Sequence, residues 1–240
     1  MSEELKSMHN KIKFLEEPHE YWIEEIQYLS VTTFLKKYHE EFNAELISTK
    51  MSRGNYFKKA KLLCEWSVSA PWGTYIHRLL ELHCMGHAID VNHIEPQLME
   101  GIRLIDQLKE EGWIIAIPEM RVFHEESKLC GTADLIMVHK DNPKLIKIVD
   151  HKTCKTIPRT AFGCKMCYAP IEHLDDCKEM HYQLQLSVYG YFIRTVFPDY
   201  EIDSLELLHL AKDSPGKRIK LDYMEEDAAK VVKHYIENKK

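Results

Sequence analysis

The sequence lacks any apolar run long enough to cross a membrane; its longest are short, strand-like pieces. The opening MSEELKSMHNKIKF is polar and mixed in charge, so no secretion signal is expected there. There is no internal repeat and no low-complexity segment, which sets aside repeat architectures. An excess of positive charge is also missing. The 32 Lys and Arg residues against 38 Asp and Glu leave a net charge of −6 and a pI near 6.2. That excludes a protein that coats nucleic acid by bulk electrostatics. It leaves room for an enzyme acting on nucleic acid, because a divalent-metal site needs carboxylates and local basic patches can still meet phosphates. The seven cysteines are odd in number and follow no secretion signal. They point to a reducing, intracellular compartment, as thiols or metal ligands rather than disulfides.

What is present suits one globular domain over residues 1–240: 45% apolar and 29% charged residues. An N-terminal part, 1–112, reads as a hairpin with Phe14, Tyr21 and Ile23 in its strands and Glu16, Glu17 and Pro18 in its turn. A helix start follows, with Ser30, Thr32 or Thr33 as its cap. Residues 43–112 are helical in pattern. Pro71 and Gly73 mark the start of a short helix carrying Ile76, Leu79, Leu80 and His83, and a second covers about 94–111. The α/β part, 113–240, opens on WIIAIPEMRVFH, where Pro118 suggests an edge or bulge. LCGTADLIMVHK and KLIKIVDHKT follow around an Asp141-Asn142-Pro143 turn, giving a three-stranded antiparallel meander. Residues 153–178 form an irregular, cysteine-rich loop. An amphipathic helix, the strand SLELLHLAK and a closing helix complete an α+β layer structure.

One cluster carries chemistry. Asp150 and Lys152 are two apart on a strand, so both side chains point to one face. Asp134 lies on the preceding strand, roughly 5 Å away across the sheet. Two hard carboxylates can hold Mg²⁺ or Mn²⁺, and a neighbouring lysine can offset charge on a phosphate under attack. An acid-x-lysine triplet occurs five times, at Glu4, Glu126, Asp150, Asp176 and Glu237. Only the Asp150 copy follows an apolar strand with an acid on the strand before it. His77 on its helix offers an imidazole that suits Mn²⁺. Glu119 on the first strand is a ligand, an outer partner or a surface residue. Gln185 and Tyr189 share one helix face, where they orient a nucleotide, bond the lysine, or simply border the core. Cys164-x-x-Cys167 has metal-knuckle spacing; Cys177, His173 or His181 could complete a zinc site.

Gly73-Thr74-x-x-His77, Pro118-Glu119, Gly131-x-x-Asp134, Asp150-x-Lys152 and Gln185-x-x-x-Tyr189 occur in an order that resembles RecB-type PD-(D/E)XK nucleases. Pro18-His19-Glu20-Tyr21 and Ser30-Val31-Thr32-Thr33 resemble the opening of small phage and large-virus members. The resemblance covers about residues 12–210. It implies a restriction-endonuclease-like core, a central mixed sheet flanked by helices with an N-terminal helical elaboration. It also implies that His77, Asp134 and Asp150 ligate the metal, joined by the backbone carbonyl of His151. Lys152 would be the catalytic lysine, and Gln185 and Tyr189 would contact DNA or support that lysine. Glu119 matches a frequent acidic position of less definite role. The His151 side chain, between the acid and the lysine, is expected to face away from the metal. The cysteines depart from the iron–sulfur arrangement of some relatives, since none follows Tyr189.

The relatives mostly degrade DNA, often from single-stranded ends, in replication, recombination or repair. The expected substrate is therefore DNA that is single-stranded or bears ends. Trp72, Tyr75 and Tyr168 are available for base stacking. Arg53, Lys58, Lys59, Lys61, Arg78, Lys155 and Arg159 are available for phosphates, though the lysine run also fits a solvated helix face. A structure-specific endonuclease and a silent DNA-binding module of the same fold are the alternatives.

Overall fold

Three runs rich in branched apolar residues, separated by two tight turns, dominate residues 113–152, and they form the expected antiparallel meander. A computed structural model of the chain describes residues 3–90 and 94–239. The meander comprises β4 (Trp113–His124), β5 (Leu129–His139) and β6 (Asn142–Lys152). Before it come helix α1 (Glu3–Lys11), strands β1 (Lys13–Leu15), β2 (Glu20–Ile23) and β3 (Ile26–Ser30), and helix α2 (Val31–Leu35), which leads into a 3₁₀ turn, Lys36–Tyr38. Helices α3 (Ala44–Ser52), α4 (Tyr56–Cys84) and α5 (Pro96–Glu110) lie between them and the meander. After it come α6 (Lys178–Val196), β7 (Glu201–His209), β8 (Lys217–Leu221) and α7 (Glu225–Glu237).

The strands join one mixed sheet in the order β1-β2-β3-β5-β6-β7-β8, with β4 along the other edge of β5. β6 and β7 are parallel, linked through α6. Side chains alternate between two cores, as a strand covered on both faces requires. Leu135, Met137 and Val149 pack with Ile76 and Leu80 of α4 and with Leu104 and Leu108 of α5. Ile136 and Ile148 join Val188 and Phe192 of α6 and Val231 of α7 on the opposite face. The chain is thus α+β, a central mixed sheet flanked by helices. No helix among the described residues is long and apolar enough to cross a membrane.

The segment read as an N-terminal hairpin is a three-stranded meander, and α1 and β8 are additions to the sequence reading. Glu16, Glu17 and Pro18 do form the turn, and Ser30 is the cap of α2, its side chain accepting from the Thr33 amide at 3.2 Å. β4 lies on the edge and carries a bulge between Ile115 and Ile117. α1 guards it: Arg121 donates its amide to His9 Nδ1 at 3.2 Å and its guanidinium to the Ile12 carbonyl at 2.8 Å.

Pro71 does not start a helix. α4 runs through it for 29 residues, its first turn capped by the Asn55 side chain, which accepts from the Lys58 amide at 2.9 Å. Pro71 and Ser67 are exposed, so water can satisfy the carbonyl that the missing amide leaves free. Packing of Ile76 and Leu80 against α5 outweighs that local cost. Restoring the amide with Pro71→Ala should raise stability by about 1 kcal/mol or more. Urea unfolding measures it, and a loss of stability instead would return Pro71 to its reading as a helix start.

Candidate active site

β5 has two edges. β4 fills one along its whole length; the other is shared by β3, paired at Leu129 and Cys130, and by β6, whose last pair is Leu135↔Val149. Residues 131–134 therefore face a fork where β3 has ended and β6 has diverged. Asp134 sits at that fork. The β4–β5 register, Pro118↔Leu135 and Met120↔Ala133, sets Glu119 opposite Asp134, and the rung after Leu135↔Val149 holds Asp150. Three acids thus share one row across three strands.

Around that row the Asp134 Oδ2 atom accepts from the His151 amide at 2.7 Å and lies 3.2 Å from His77 Nδ1. Lys152 Nζ lies 2.5 Å from Asp150 Oδ2 and 4.4 Å from the centre of the Tyr182 ring. The expectation for the His151 side chain is overturned. Its Nδ1 is 3.6 Å from Asp134 Oδ2, and its ring meets that of His77 edge-on at 5.5 Å. Strand alternation does send it to the other face from Asp150, but the fork lets α4 bring His77 around to Asp134, so both faces serve one site.

Two glycines make the approach possible. A Cβ on Gly73 would sit 3.0 Å from Thr153 Oγ1, so α4 lies close against the end of β6 at this glycine. A Cβ on Gly131 would meet Tyr189 Cε1 at 2.5 Å. Tyr189 is fully buried and its hydroxyl accepts from Gln185 Nε2 at 3.0 Å. It underlies the fork as a packed support, with no surface left for a nucleotide. Tyr182 was missed by the sequence reading, although it shares a helix face with Gln185 and Tyr189 at three- and four-residue spacing.

The electrostatics are those of crowded acids. Burial, with Asp134 and Glu81 nearby, pushes the Glu119 carboxyl up to about 8. Burial and the Asp134 charge push Asp150 up to about 6 against the pull of Lys152. Burial also works against ionising Asp134, but His77 overrides it and holds that carboxyl well below its usual range. His77 rises to about 9: burial opposes its charge, and Asp134 prevails. Burial drops His151 to about 4, leaving a neutral imidazole. Lys152 is raised because Asp150 outweighs its burial, so its ammonium persists.

This donor set fits a divalent cation. Ligand atoms of His77, Asp134 and His151 lie within 4.8 Å of one another. His151 Nε2 is buried without a hydrogen-bond partner among the described residues. Acids side by side on one row repel, and a shared cation removes that cost.

The candidate DNA contacts are dispersed. Trp72 is partly buried, donating Nε1 to Gln97 Oε1 at 2.6 Å and leaning on Tyr75 at 5.5 Å. Arg78 pairs with Glu81 at 2.5 Å, and Arg159 with Glu179 at 3.0 Å. Lys155 is exposed, as is Tyr168. Lys59 and Lys61 pair with Glu45 and Glu65, while Arg53 caps α3 and Lys58 is exposed, as on a solvated face.

The ligands expected for zinc in the cysteine loop do not gather in one place among the described residues. The described residues gather three His, Cys, Asp or Glu ligand atoms at two places, and neither includes Cys164, Cys167 or Cys177. Cys164 is exposed, while Cys167 is buried with Sγ 3.7 Å from the Asp175 carbonyl. Burial lifts its thiol to about 12. His173 instead lies 3.3 Å from Asp227.

No family model matches the chain, and no curated protein matches it. Among solved structures, a proposed exonuclease from Eubacterium rectale aligns with 10% identity over 88% of this chain and 78% of that one, at a TM-score of 0.39.

The raised groups set a pH dependence. Glu119 ordinarily titrates at 4.5 and His77 at 6.5, and both hold protons more tightly when folded. Their stabilisation is complete below those values and disappears as pH rises through about 8 and about 9. Metal-free protein should therefore lose stability between about pH 6.5 and 9, by on the order of 1 kcal/mol per pH unit. Saturating Mn²⁺ should flatten the slope. Thermal melts in chelator across that range check it, and a flat or rising Tm would refute the crowded-acid account.

Proposed function

We propose that this chain is a divalent-metal-dependent DNA nuclease of the PD-(D/E)XK kind, acting on single-stranded or end-bearing DNA. The observation that carries the reading is the meeting of Asp134, Asp150 and Lys152 at one fork of the sheet, with Glu119 on the same row. Asp134, Asp150 and His77 would hold Mg²⁺ or Mn²⁺, with His151 and Glu119 beside them. When bound, such an ion polarises a phosphodiester and lowers the pKa of its water.

The chain's own groups supply the rest. Lys152 remains protonated and is restrained by Asp150 at 2.5 Å and by the Tyr182 face. A fixed ammonium beside the acids can offset the charge that builds on the phosphate oxygens during attack. His77 and the His151 amide hold Asp134 in one orientation, so it need not reorganise when substrate arrives. Tyr189, packed against Gly131 and held by Gln185, would support from beneath the helix that carries Tyr182.

A preference for unpaired strands rests on the segment after β6. Phe162 is 97% exposed and Tyr168 51% exposed, and apolar rings so open to water are suited to stacking bases. Lys155 and Arg159 on the same segment would meet phosphates, Arg159 by exchanging its bond to Glu179. The free cysteines fit a reducing, intracellular setting.

End-labelled single- and double-stranded DNA, incubated with Mg²⁺ or Mn²⁺, tests the proposal. Lys152→Ala should lower the cleavage rate by about 100- to 1000-fold, and Asp150→Asn comparably. Circular single-stranded DNA should survive if digestion proceeds from ends, whereas its cleavage would favour a structure-specific endonuclease. Unchanged cleavage by Lys152→Ala would remove the assignment.

A further inference from the structure

The segment 153–177 between β6 and α6 has little regular structure, yet residues 38–40 strap it down. Tyr168 donates its amide to the Tyr38 carbonyl at 2.7 Å, and Glu40 donates its amide to Asp176 Oδ2 at 2.9 Å. Between α2, this strap, the loop and the first turns of α6 lies a cavity of about 90 Å³. Its floor is apolar: Leu35, Cys167, Ile171 and Leu184 line it, and all four are buried. Its rim is open to water through Thr32, Met180, Tyr182 and Gln185, each of them exposed or half-buried. His39 and His181 complete the wall as a stacked pair, centroids 4.0 Å apart and planes 20° apart. A 2.6 Å contact between His181 Nε2 and Asp176 Oδ1 holds that pair in place.

We propose that this cavity takes one unpaired base of the DNA strand, of single-ring size, beside the phosphate that is cut. The inference rests on the nuclease reading above and deepens it. Continuity with the acid row argues for a base. The Tyr182 ring borders the cavity and also faces Lys152 Nζ at 4.4 Å, so a nucleotide whose phosphate meets the lysine has its base one ring away. The chemistry of the walls argues the same way. An apolar floor and aromatic rings suit the faces of a base that has left its stack.

The rim supplies the few polar atoms that orient a ligand in such a pocket. Gln185 donates Nε2 to the Tyr189 hydroxyl at 3.0 Å, and its carbonyl oxygen is unpaired among the described residues, free to accept from a base N–H. The Thr32 hydroxyl lies 3.2 Å from Ser30 Oγ and keeps capacity for a second partner. Size decides the class of base. About 90 Å³ is room for roughly six waters, which matches a pyrimidine ring and not a fused purine. Met180 forms part of the rim, and its side chain sets that limit.

Binding of short fluorescent single strands to full-length Lys152→Ala protein in Mg²⁺ tests this, with thymine, adenine or no base at one scanned position. At one position thymine should bind about 10-fold more tightly than an abasic residue, the scale of one stacked base, and more tightly than adenine. Adding Thr32→Trp, a large ring at an exposed position on the rim, should cap the mouth and erase both preferences. Adding Met180→Ala should widen the cavity and bring adenine level with thymine, a gain that a folding defect does not produce. The lack of any preferred position, adenine bound as well as thymine before the cavity is widened, preferences unchanged in both variants, or no binding of DNA would each overturn the proposal. Cleavage of the all-thymine strand by wild type reads the nuclease assignment separately: base preference without cleavage would keep the pocket and remove the nuclease.

Discussion

β5 can pair with β6 only as far as Leu135, because the same edge has already been used by β3 at Leu129 and Cys130. Everything at the candidate site follows from that limit. The unpaired stretch opens a fork in the middle of a sheet that is otherwise sealed on both faces. Asp134 projects into it, the His151 amide turns to Asp134 instead of a strand partner, and α4 delivers His77 from one side while α6 delivers Tyr182 from the other. The same fork is why Gly131 is a glycine: Tyr189 occupies the space a Cβ would need.

The row of acids is unfavourable on its own. Glu119, Asp134 and Asp150 are partly or wholly withdrawn from water and near one another, so burial and mutual repulsion raise two of the three. Folding alone offers little return for such an arrangement, since like charges across a sheet and buried carboxylates both cost stability. The chain offsets part of it with Lys152 on Asp150 and His77 on Asp134. Glu119 adds a left-handed backbone, φ 48°, beside Pro118. Strain and repulsion gathered in one place are common where a fold has been shaped around a ligand.

The strap at residues 38–40 gives the irregular loop a second anchorage. One end of that loop leaves β6 directly after Lys152, where Leu210 donates its amide to the Lys152 carbonyl at 2.8 Å. The other end becomes α6. Whatever fixes the strap thereby fixes the approach to the lysine, and the stacked histidines place that control within reach of a cavity bordered by Tyr182.

The meander, its turns and the pairing of Asp150 with Lys152 were legible because they depend on alternation and short connections. Residue 71 was misread because a proline's local cost is visible in sequence while the packing of Ile76 and Leu80 that outweighs it is not. Cys164, Cys167 and Cys177 drew attention through spacing, yet spacing carries no information about where a thiol points. His39 and His181 stand 142 positions apart in the chain, and no local pattern links them. By itself the sequence determined which residues could share a strand face and which helices would bury an apolar side. Only the tertiary structure decided that His151 turns into the site, that Tyr189 is sealed beneath it, and that His39 meets His181. Those depend on where one strand edge runs out of partners and how distant helices fill the gap.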